Sequence, residues 1–202
     1  MLTIINKKED NYFLPEDGFV AKDRLLETLT KPGDLFISCF GFTLQEAYDA
    51  IAQNDAAGFK QSLLLDYTQA VGQYAKPKIK DLLSKTKNTS IVLTSAGDKS
   101  GRKSAYWHWK GLVKLDPDKR KAPICMDGST NVSINAFYQG NSMRFFNNHA
   151  WSKVFIEQHN ENKNWALNYS KFNQPATFDA GKDNIDEFFN SLKDKLDLEF
   201  LI

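Results

Sequence analysis

The feature of this sequence that most constrains its fold is the alternation of short apolar runs with helix-forming segments through the first half of the chain. Apolar runs of strand length cover residues 35–40, 61–66 and 90–94. A capping-box pattern begins a helix at residues 43–46, and a second helix is predicted over residues 78–85. Strands and helices that alternate at these lengths predict an α/β fold with a mixed, largely parallel sheet flanked by helices on both faces.

The segments on either side of this alternation are predicted to be further elements of the same domain. We find no internal repeat, no low-complexity tract and no domain boundary, so we predict a single domain over residues 1–202 with its core at about 35–155. The remaining predicted elements are an N-terminal helix over 20–31, strands over 105–113, 123–126 and 142–146, a short helix over 129–137, and C-terminal helices over 151–158 and 185–196 joined by a polar connector over 160–183.

Composition places the chain among globular proteins with an ordinary soluble surface. Of its 202 residues, 42% are hydrophobic and 25% are charged, and the net charge is +1, which excludes a disordered chain. Two cysteines, Cys39 and Cys125, are too few for a zinc cluster or a disulfide framework, and we expect buried thiols in a reducing compartment. The first ten residues lack a secretory signal, and no apolar run approaches the roughly 18 residues that span a bilayer. We therefore expect a cytoplasmic protein with no stable membrane association.

Positive charge is concentrated in one segment, from Asp98 to Lys121. This segment has eight lysines and arginines against three aspartates, a net charge of +5 that leaves −4 for the rest of the chain. A solvated loop and an anion-binding surface are both consistent with such a segment, because exposed Lys and Arg side chains are common on protein surfaces.

One of the three histidines lies in a pattern with chemical meaning. His108 belongs to the sequence Trp107-His108-Trp109-Lys110, so on a strand His108 and Lys110 point to one face and the two tryptophans to the other. An imidazole beside an ammonium suits a phosphoryl group, because lysine neutralises its charge and histidine can attack phosphorus or donate a proton. Taken alone, a solvated strand face is the more common explanation of such a pair.

A second pattern, Gly128-Ser129-Thr130-Asn131, follows about twenty residues later, and the predicted hairpin brings it back beside the strand of His108. A glycine and a serine at a strand-to-helix junction expose backbone N–H groups that suit a phosphate oxygen. The Ser129 hydroxyl and the Asn131 amide add neutral donors. A plain helix N-cap at Ser129 is the alternative, and for the Gly-Ser pair alone it is the more common one.

His-x-Lys followed by Gly-Ser-x-Asn resembles the defining motif of the phospholipase D superfamily. The order of elements from residue 35 to residue 155 is also similar to the core of that family. The family normally has an aspartate at the position of Leu115; here Asp116, to which the resemblance gives a structural role, comes one residue later. An acidic residue often found downstream is missing, with Asn141 and Ser142 near its place.

The resemblance implies a two-step transfer that needs two His-x-Lys motifs in one pocket. One histidine attacks phosphorus to give a phosphohistidine, a second protonates the leaving oxygen, and water then hydrolyses the adduct. This chain has one such motif, so a homodimer with two-fold symmetry would supply His108 twice. The scheme uses no metal and no cofactor. The site residues that it implies are His108, Lys110, Ser129 and Asn131 as catalytic groups, and Gly128, Trp109, Lys103 and Arg102 as substrate-binding groups.

Chain length and the single motif favour a nuclease. Single-motif dimers of this superfamily are commonly nucleases, and the basic segment with its interleaved aromatic residues suits a sugar-phosphate backbone and its bases. Packing beneath the strand is nevertheless the more common role for Trp107 and Trp109. We therefore predict a hydrolase, an endonuclease that cleaves DNA or RNA. Two alternatives stay open: a hydrolase or transferase of phospholipids or other small phosphodiesters, and a non-catalytic nucleic-acid-binding or regulatory module on the same fold.

Overall fold

The computed structural model describes residues 9–66, 73–94, 109–168 and 176–179, together with Asn184 and Glu187. Its strands are β1 (Glu9–Phe13), β2 (Leu35–Cys39), β3 (Gln61–Asp66), β4 (Thr89–Thr94), β5 (Gly111–Lys114), β6 (Ile124–Gly128), β7 (Ser142–Asn147) and β8 (Ala176–Asp179). Its helices are α1 (Gly18–Thr30), α2 (Gln45–Ala56), α3 (Lys76–Lys85) and α4 (His149–Asn168), and a 3₁₀ helix covers Ile134–Tyr138.

The described strands form one mixed sheet in the order β1-β7-β6-β5-β2-β3-β4-β8. The neighbours β2, β3 and β4 are parallel, and each of the other neighbouring pairs is antiparallel. The predicted α/β class and mixed sheet are confirmed, although the parallel part is smaller than predicted. The connection between β5 and β6, residues 115–123, is too short for the crossover that parallel strands require, and the connection between β6 and β7 has only a short 3₁₀ helix where a crossover usually has an α-helix.

Helices cover both faces of the sheet, as predicted. The first three helices pack on one face over the larger core, which includes Ile37, Leu63 and Leu65, each at most 1% exposed. Helix α4 packs on the other face, where its Phe155 belongs to a smaller cluster with Val113. Burial of each such aliphatic side chain stabilises the fold by roughly 2 kcal/mol.

The structure corrects several predicted boundaries. The helix predicted over 129–137 is a 3₁₀ helix that begins only at Ile134, and α4 continues to Asn168, into the predicted polar connector. The sequence does not predict the edge strands β1 and β8, because β1 does not alternate between apolar and polar residues and the four residues of β8 are too few to give a clear alternating signal. Residues 105–108 of a predicted strand and the predicted helix over 185–196, Glu187 apart, lie outside the described residues.

Strand register places both sequence patterns at one edge of the sheet, which we call the site edge. Ser38 near the end of β2 pairs with Gly111 at the start of β5, and Gly111 pairs with Asp127 near the end of β6. Lys110 directly precedes Gly111, and Gly128 directly follows Asp127. The carboxyl ends of the parallel strands meet at this same edge, which is where ligands bind in open α/β sheets.

Candidate active site

Lys110 is a buried basic residue at the site edge. Its side chain is only 5% exposed, and its Nζ lies 5.5 Å from the centre of the Phe40 ring. Burial lowers the pKa of Lys110, because removal from water penalises the ammonium, while the nearby Cys39 acts in the opposite direction. A bound anion would favour the charged ammonium, so the surroundings of Lys110 suit a phosphate group.

Trp109 packs on the α4 side of the sheet rather than beside Lys110. Its ring centre lies 4.7 Å from that of Phe155 at an interplanar angle of 39°, within the smaller apolar cluster. Gly111 makes room for the same phenyl ring, since a Cβ there would stand 2.7 Å from Phe155 Cε2. Trp109 thus has the packing role that we held open beside the predicted substrate-binding one.

Gly128 ends β6 in a backbone conformation that favours glycine. Its φ is 150°, and a Cβ there would lie 2.2 Å from the carbonyl oxygen of Ser142. The missing side chain lets β7 begin directly beside the end of β6. This close approach positions the next residue, Ser129.

Ser129 is exposed, and its polar groups bond to the start of β7. Its N–H donates to the Ser142 carbonyl at 3.0 Å, and its Oγ accepts from the Ser142 N–H at 3.0 Å and donates to Asn141 Oδ1 at 3.3 Å. No helix begins at Ser129, so the predicted cradle at a helix N-terminus is wrong. The hydroxyl is positioned by β7 instead, and it stays accessible at the site edge.

Asn131 joins the loop after β6 to the loop after β2. Its Oδ1 accepts a hydrogen bond from the Gly41 N–H at 3.1 Å. Gly41 permits this approach, because a Cβ there would stand 3.2 Å from Asn131 Cγ. Phe40, the preceding residue, contacts the Lys110 ammonium, so Asn131 and Lys110 approach one short loop from two sides.

The structure brings together four of the predicted site residues, and three others lie outside the described residues. Those at the site edge are Lys110, Gly128, Ser129 and Asn131. Those outside the described residues, whose placement stays a prediction, are Arg102, Lys103 and His108.

Asp116 lies beyond the end of β5 that is far from the site edge. Its Oδ1 accepts a hydrogen bond from the Asp118 N–H at 2.9 Å, a contact that shapes the hairpin loop. Lys119, Arg120 and Lys121 are exposed in the same loop. The basic segment is therefore divided, and these three cations do not border the site edge.

The sequence patterns miss four residues that shape the site: Phe40, Gly41, Asn141 and Ser142. A glycine shortly after a buried strand is the signal that could have indicated the first two, because ligand-binding loops follow such strands. Asn141 stands near the place of the missing acidic residue and accepts a hydrogen bond from Ser129. A neutral amide thus lies beside the serine.

A shallow cavity of about 220 Å³ adjoins the site between β1, β6 and β7, and its lining includes Gly128, Ser142 and Arg144. The Arg144 guanidinium makes hydrogen bonds of 3.0 and 2.6 Å to Asp127 and lies 4.6 Å from the centre of the Phe146 ring. Because Asp127 balances its charge, Arg144 orders this side of the site without making it strongly cationic.

Within the part of the chain that the structure describes, no group of three or more His, Cys, Asp or Glu side chains is placed to hold a metal ion. Cys39 and Cys125 are buried free thiols, as predicted, and burial raises the pKa of each to about 11. None of the described helices is both long enough and apolar enough to cross a membrane.

Solved structures of similar fold include two proteins of comparable size. NucT from Helicobacter pylori is 21% identical with a TM-score of 0.63, over 76% of this chain and 94% of that chain. Nuc from Salmonella typhimurium, a phospholipase D family member, is 12% identical with a TM-score of 0.61, over 77% of this chain and 93% of that chain.

A third similar structure belongs to a longer protein. The phosphatidylserine synthase of Haemophilus influenzae is 10% identical with a TM-score of 0.54, over 95% of this chain and 46% of that chain. No protein-family model matches the sequence, and no curated protein matches it. At these identities the three likenesses establish the fold alone.

Proposed function

Because the chain has the fold of the phospholipase D superfamily, we propose that it is a metal-independent phosphodiesterase and that its substrate is DNA or RNA. The observation that carries the proposal is the meeting of Lys110, Ser129 and Asn131 at one sheet edge of this fold. His108 stands two residues before Lys110 in the sequence. An imidazole, an ammonium and neutral polar groups together suit phosphoryl transfer.

In the proposed reaction, the neutral imidazole of His108 attacks phosphorus, and a nitrogen–phosphorus bond forms as the bond to the leaving oxygen breaks. His108 of a second copy, in its protonated form, donates a proton to that oxygen. Water then attacks phosphorus, the second imidazole takes a proton from it, and the nitrogen–phosphorus bond breaks. The two imidazoles titrate as a coupled pair, and no step needs a metal ion.

Lys110 stabilises the negative charge of the transition state in this proposal. Burial penalises the charged form of Lys110, and a bound phosphate offsets that penalty. The ammonium is therefore most stable when the substrate is bound. Asn131 is held by Gly41 and Ser129 by β7, which means that these polar groups need little reorganisation when the reaction occurs.

Two alternatives each have one observation in their favour. The shared fold with a phosphatidylserine synthase is consistent with a phospholipid or another small phosphodiester as substrate. The neutral Asn141 beside Ser129, where the family often has an acid, is consistent with a module that binds nucleic acid without cleaving it. We favour the nuclease because the chain has one motif and matches NucT and Nuc over 94% and 93% of their lengths, but the synthase over only 46%.

The test is cleavage of labelled DNA and RNA in excess EDTA. We expect the wild type and His149→Ala, which alters an exposed histidine at the start of α4, to cleave at equal rates. His108→Ala should be at least about a thousandfold slower, because it removes the nucleophile. Equal activity of the His108 variant would exclude the histidine mechanism. Hydrolysis of a phospholipid without cleavage of either nucleic acid would favour the first alternative.

A further inference from the structure

A second cavity lies at the end of the sheet opposite to the site edge, and we call it the far cavity. It opens between the residues that precede β2 and β3, the hairpin loop between β5 and β6, and the first turn of α4. Its volume is about 390 Å³, and small-molecule sites typically enclose about 300–1,000 Å³. Every residue that lines it belongs to the part of the chain that the structure describes.

The far cavity includes cations of the basic segment that the candidate active site does not use. Lys119 and Lys121 line it, and both are exposed in the hairpin loop. Lys121 Nζ lies 3.6 Å from Asp116 Oδ2, which is too long for a strong hydrogen bond, so its ammonium can still donate to a ligand. Lysine side chains commonly bind phosphate groups in this way, as point charges. One wall of the far cavity therefore suits an anion.

Another wall of the far cavity is apolar. Phe59, Pro117 and Pro123 line it. Phe59 is half-buried and its N–H donates to the Asn54 carbonyl at 3.1 Å, while Asn147 Nδ2 donates to the Pro123 carbonyl at 2.9 Å. An aromatic side chain in such a wall suits a nucleobase, because every base has a flat face that can stack on a ring.

Two carboxylates, Asp34 and Asp116, add hydrogen-bond acceptors. Asp34 Oδ1 accepts from the Lys60 N–H at 2.9 Å, and Asp116 Oδ1 accepts from the Asp118 N–H at 2.9 Å. An ionised carboxylate has roughly four acceptor sites, so each can accept further hydrogen bonds from the amino group of a base or the hydroxyl groups of a ribose. The same carboxylates would repel the side chains of an acidic peptide, which disfavours a peptide as the ligand.

Backbone contacts hold the walls of the far cavity together before any ligand binds. The Leu115 N–H donates to the Asp34 carbonyl at 2.9 Å. Gly33, with a φ of 143°, permits this approach, because a Cβ there would stand 1.8 Å from the Leu115 carbonyl oxygen. A site that is ordered in advance loses less entropy when its ligand binds.

We propose that the far cavity binds a nucleotide with a terminal phosphate. The phosphate lies at Lys119 and Lys121, the base packs against Phe59, and the two carboxylates accept from its amino or hydroxyl groups. The choice of a phosphorylated nucleotide draws on the proposed function, because hydrolysis of the phosphohistidine leaves a phosphate monoester at the end of one product. A free mononucleotide and the end of a short oligonucleotide share this chemistry. Cleavage itself does not require the far cavity, which lies beyond the opposite ends of the strands.

The test is isothermal titration calorimetry of the full chain with adenosine 5′-monophosphate, adenosine 3′-monophosphate and adenosine. At least one of the monophosphates should bind, and adenosine should bind at least about tenfold more weakly, because it lacks the charge-assisted hydrogen bonds. The double variant Lys119→Ala and Lys121→Ala should weaken the monophosphate at least about tenfold and leave adenosine nearly unchanged. Arg120→Ala is the matched control, because Arg120 is exposed in the same loop and pairs with Asp118.

Two further variants locate the nucleotide and identify its source. Lys110→Met removes the cation of the site edge and should keep the wild-type dissociation constant. In His108→Ala, which we expect not to cleave, a 5′-phosphorylated dinucleotide is compared with the monophosphate. Tighter binding of the dinucleotide, lost in the double lysine variant, would identify oligonucleotide ends as the source, and equal dissociation constants would identify free mononucleotides. Circular dichroism establishes that all the variants fold.

Three outcomes would overturn the proposal: no heat of binding at millimolar nucleotide, an unchanged dissociation constant in the double lysine variant, or equal losses in that variant and in Arg120→Ala. Binding that is lost only in Lys110→Met would likewise assign the nucleotide to the site edge. Cleavage in EDTA is measured separately. A chain that binds nucleotide in the far cavity but does not cleave would retain this proposal and lose the proposed function, and a chain that cleaves without such binding would do the reverse.

Discussion

At the scale of single residues, Asn131 combines a structural hydrogen bond with neutrality beside a proposed phosphate site. Its Oδ1 accepts from the Gly41 N–H at 3.1 Å. Asn131→Asp keeps an acceptor oxygen but adds a negative charge, so we expect a nearly unchanged free energy of unfolding and a kcat/KM at least about a hundredfold lower. Asn131→Ala also removes the acceptor and should destabilise the fold by about 1–2 kcal/mol. Urea unfolding with steady-state kinetics separates the two effects, and an active Asn131→Asp enzyme would place Asn131 away from the substrate.

Gly128 gives a prediction about stability at the same scale. Gly128→Ala puts a Cβ 2.2 Å from the Ser142 carbonyl oxygen at a φ of 150°, and we expect it to lower the free energy of unfolding by about 2–4 kcal/mol. Gly140→Ala is the matched control, because a Cβ there meets nothing within 4 Å and its φ is not positive. The control should stay within about 0.5 kcal/mol of the wild type. Equal urea midpoints for the two variants would contradict this account of Gly128.

The sequence predicts which residues meet at the site better than it predicts how they are held. The spacing of Lys110 and of Gly128 to Asn131 is visible in the chain, because one hairpin brings two neighbouring segments together. The contact between Gly41 and Asn131 joins residues 90 positions apart, and no local pattern encodes it. The same limit explains why the sequence predicts a helix that begins at Ser129, although hydrogen bonds to Ser142 position this serine instead.

At the scale of elements, a hydrogen-bond network of polar side chains attaches α4 to the sheet. The fully buried His159 has Nδ1 3.0 Å from Ser38 Oγ on β2 and Nε2 3.0 Å from Ser62 Oγ on β3. Lys163 Nζ donates to Ser62 Oγ at 3.0 Å and to Ser90 Oγ at 3.3 Å. Because the Lys163 ammonium can only donate, Ser62 Oγ accepts from it, and the Ser62 hydroxyl is free to donate a hydrogen bond to Nε2 of His159. The arrangement favours a neutral imidazole with its proton on Nδ1.

This hydrogen-bond network makes the attachment of α4 sensitive to acid. Burial lowers the pKa of His159 to about 3, and the Lys163 ammonium acts in the same direction. An unfolded chain has a histidine pKa of about 6.5, so below that pH the unfolded state binds a proton that the folded state excludes. Neutral His159 therefore contributes its full stability above about pH 6.5, and the contribution falls by about 1.4 kcal/mol per pH unit as the pH approaches 3.

The measurement is the free energy of unfolding of the wild type and His159→Gln between pH 7.5 and pH 4.5. The glutamine variant is expected to be less stable at neutral pH but to lose less stability on acidification. His149→Gln, at an exposed position of the same helix, should keep the wild-type slope. Parallel curves for the wild type and the His159 variant would show that another group controls the acid response.

The same hydrogen-bond network also explains why the sequence does not predict where α4 ends. The segment after His159 is rich in Asn and Lys and lacks apolar periodicity, so it resembles a connector. Its helical form is supported by hydrogen bonds from Lys163 to Ser62 and Ser90, serines on strands that lie 101 and 73 residues away. A serine in a strand gives no sequence signal of the partner that will bury it.

At the scale of the whole molecule, the α/β class is predictable because alternating strands and helices can bury their apolar faces in only a few ways. The edges of the sheet are not predictable in the same way. Glu9 pairs with Phe146 and Ile91 with Phe178, and both pairings join segments that the chain separates widely. Association between two chains likewise depends on contacts that no local sequence pattern encodes. It is therefore tested by measuring the activity of a mixture of wild-type and variant proteins.

Equal amounts of the wild type and His108→Ala, exchanged into random dimers at constant total protein, provide that measurement. If one pocket needs His108 from both copies, only dimers of two wild-type chains are active, and activity falls to about one quarter of that of pure wild type. Chains that act alone would retain about one half. A mixture that retains one half of the wild-type activity would therefore remove the need for a second histidine.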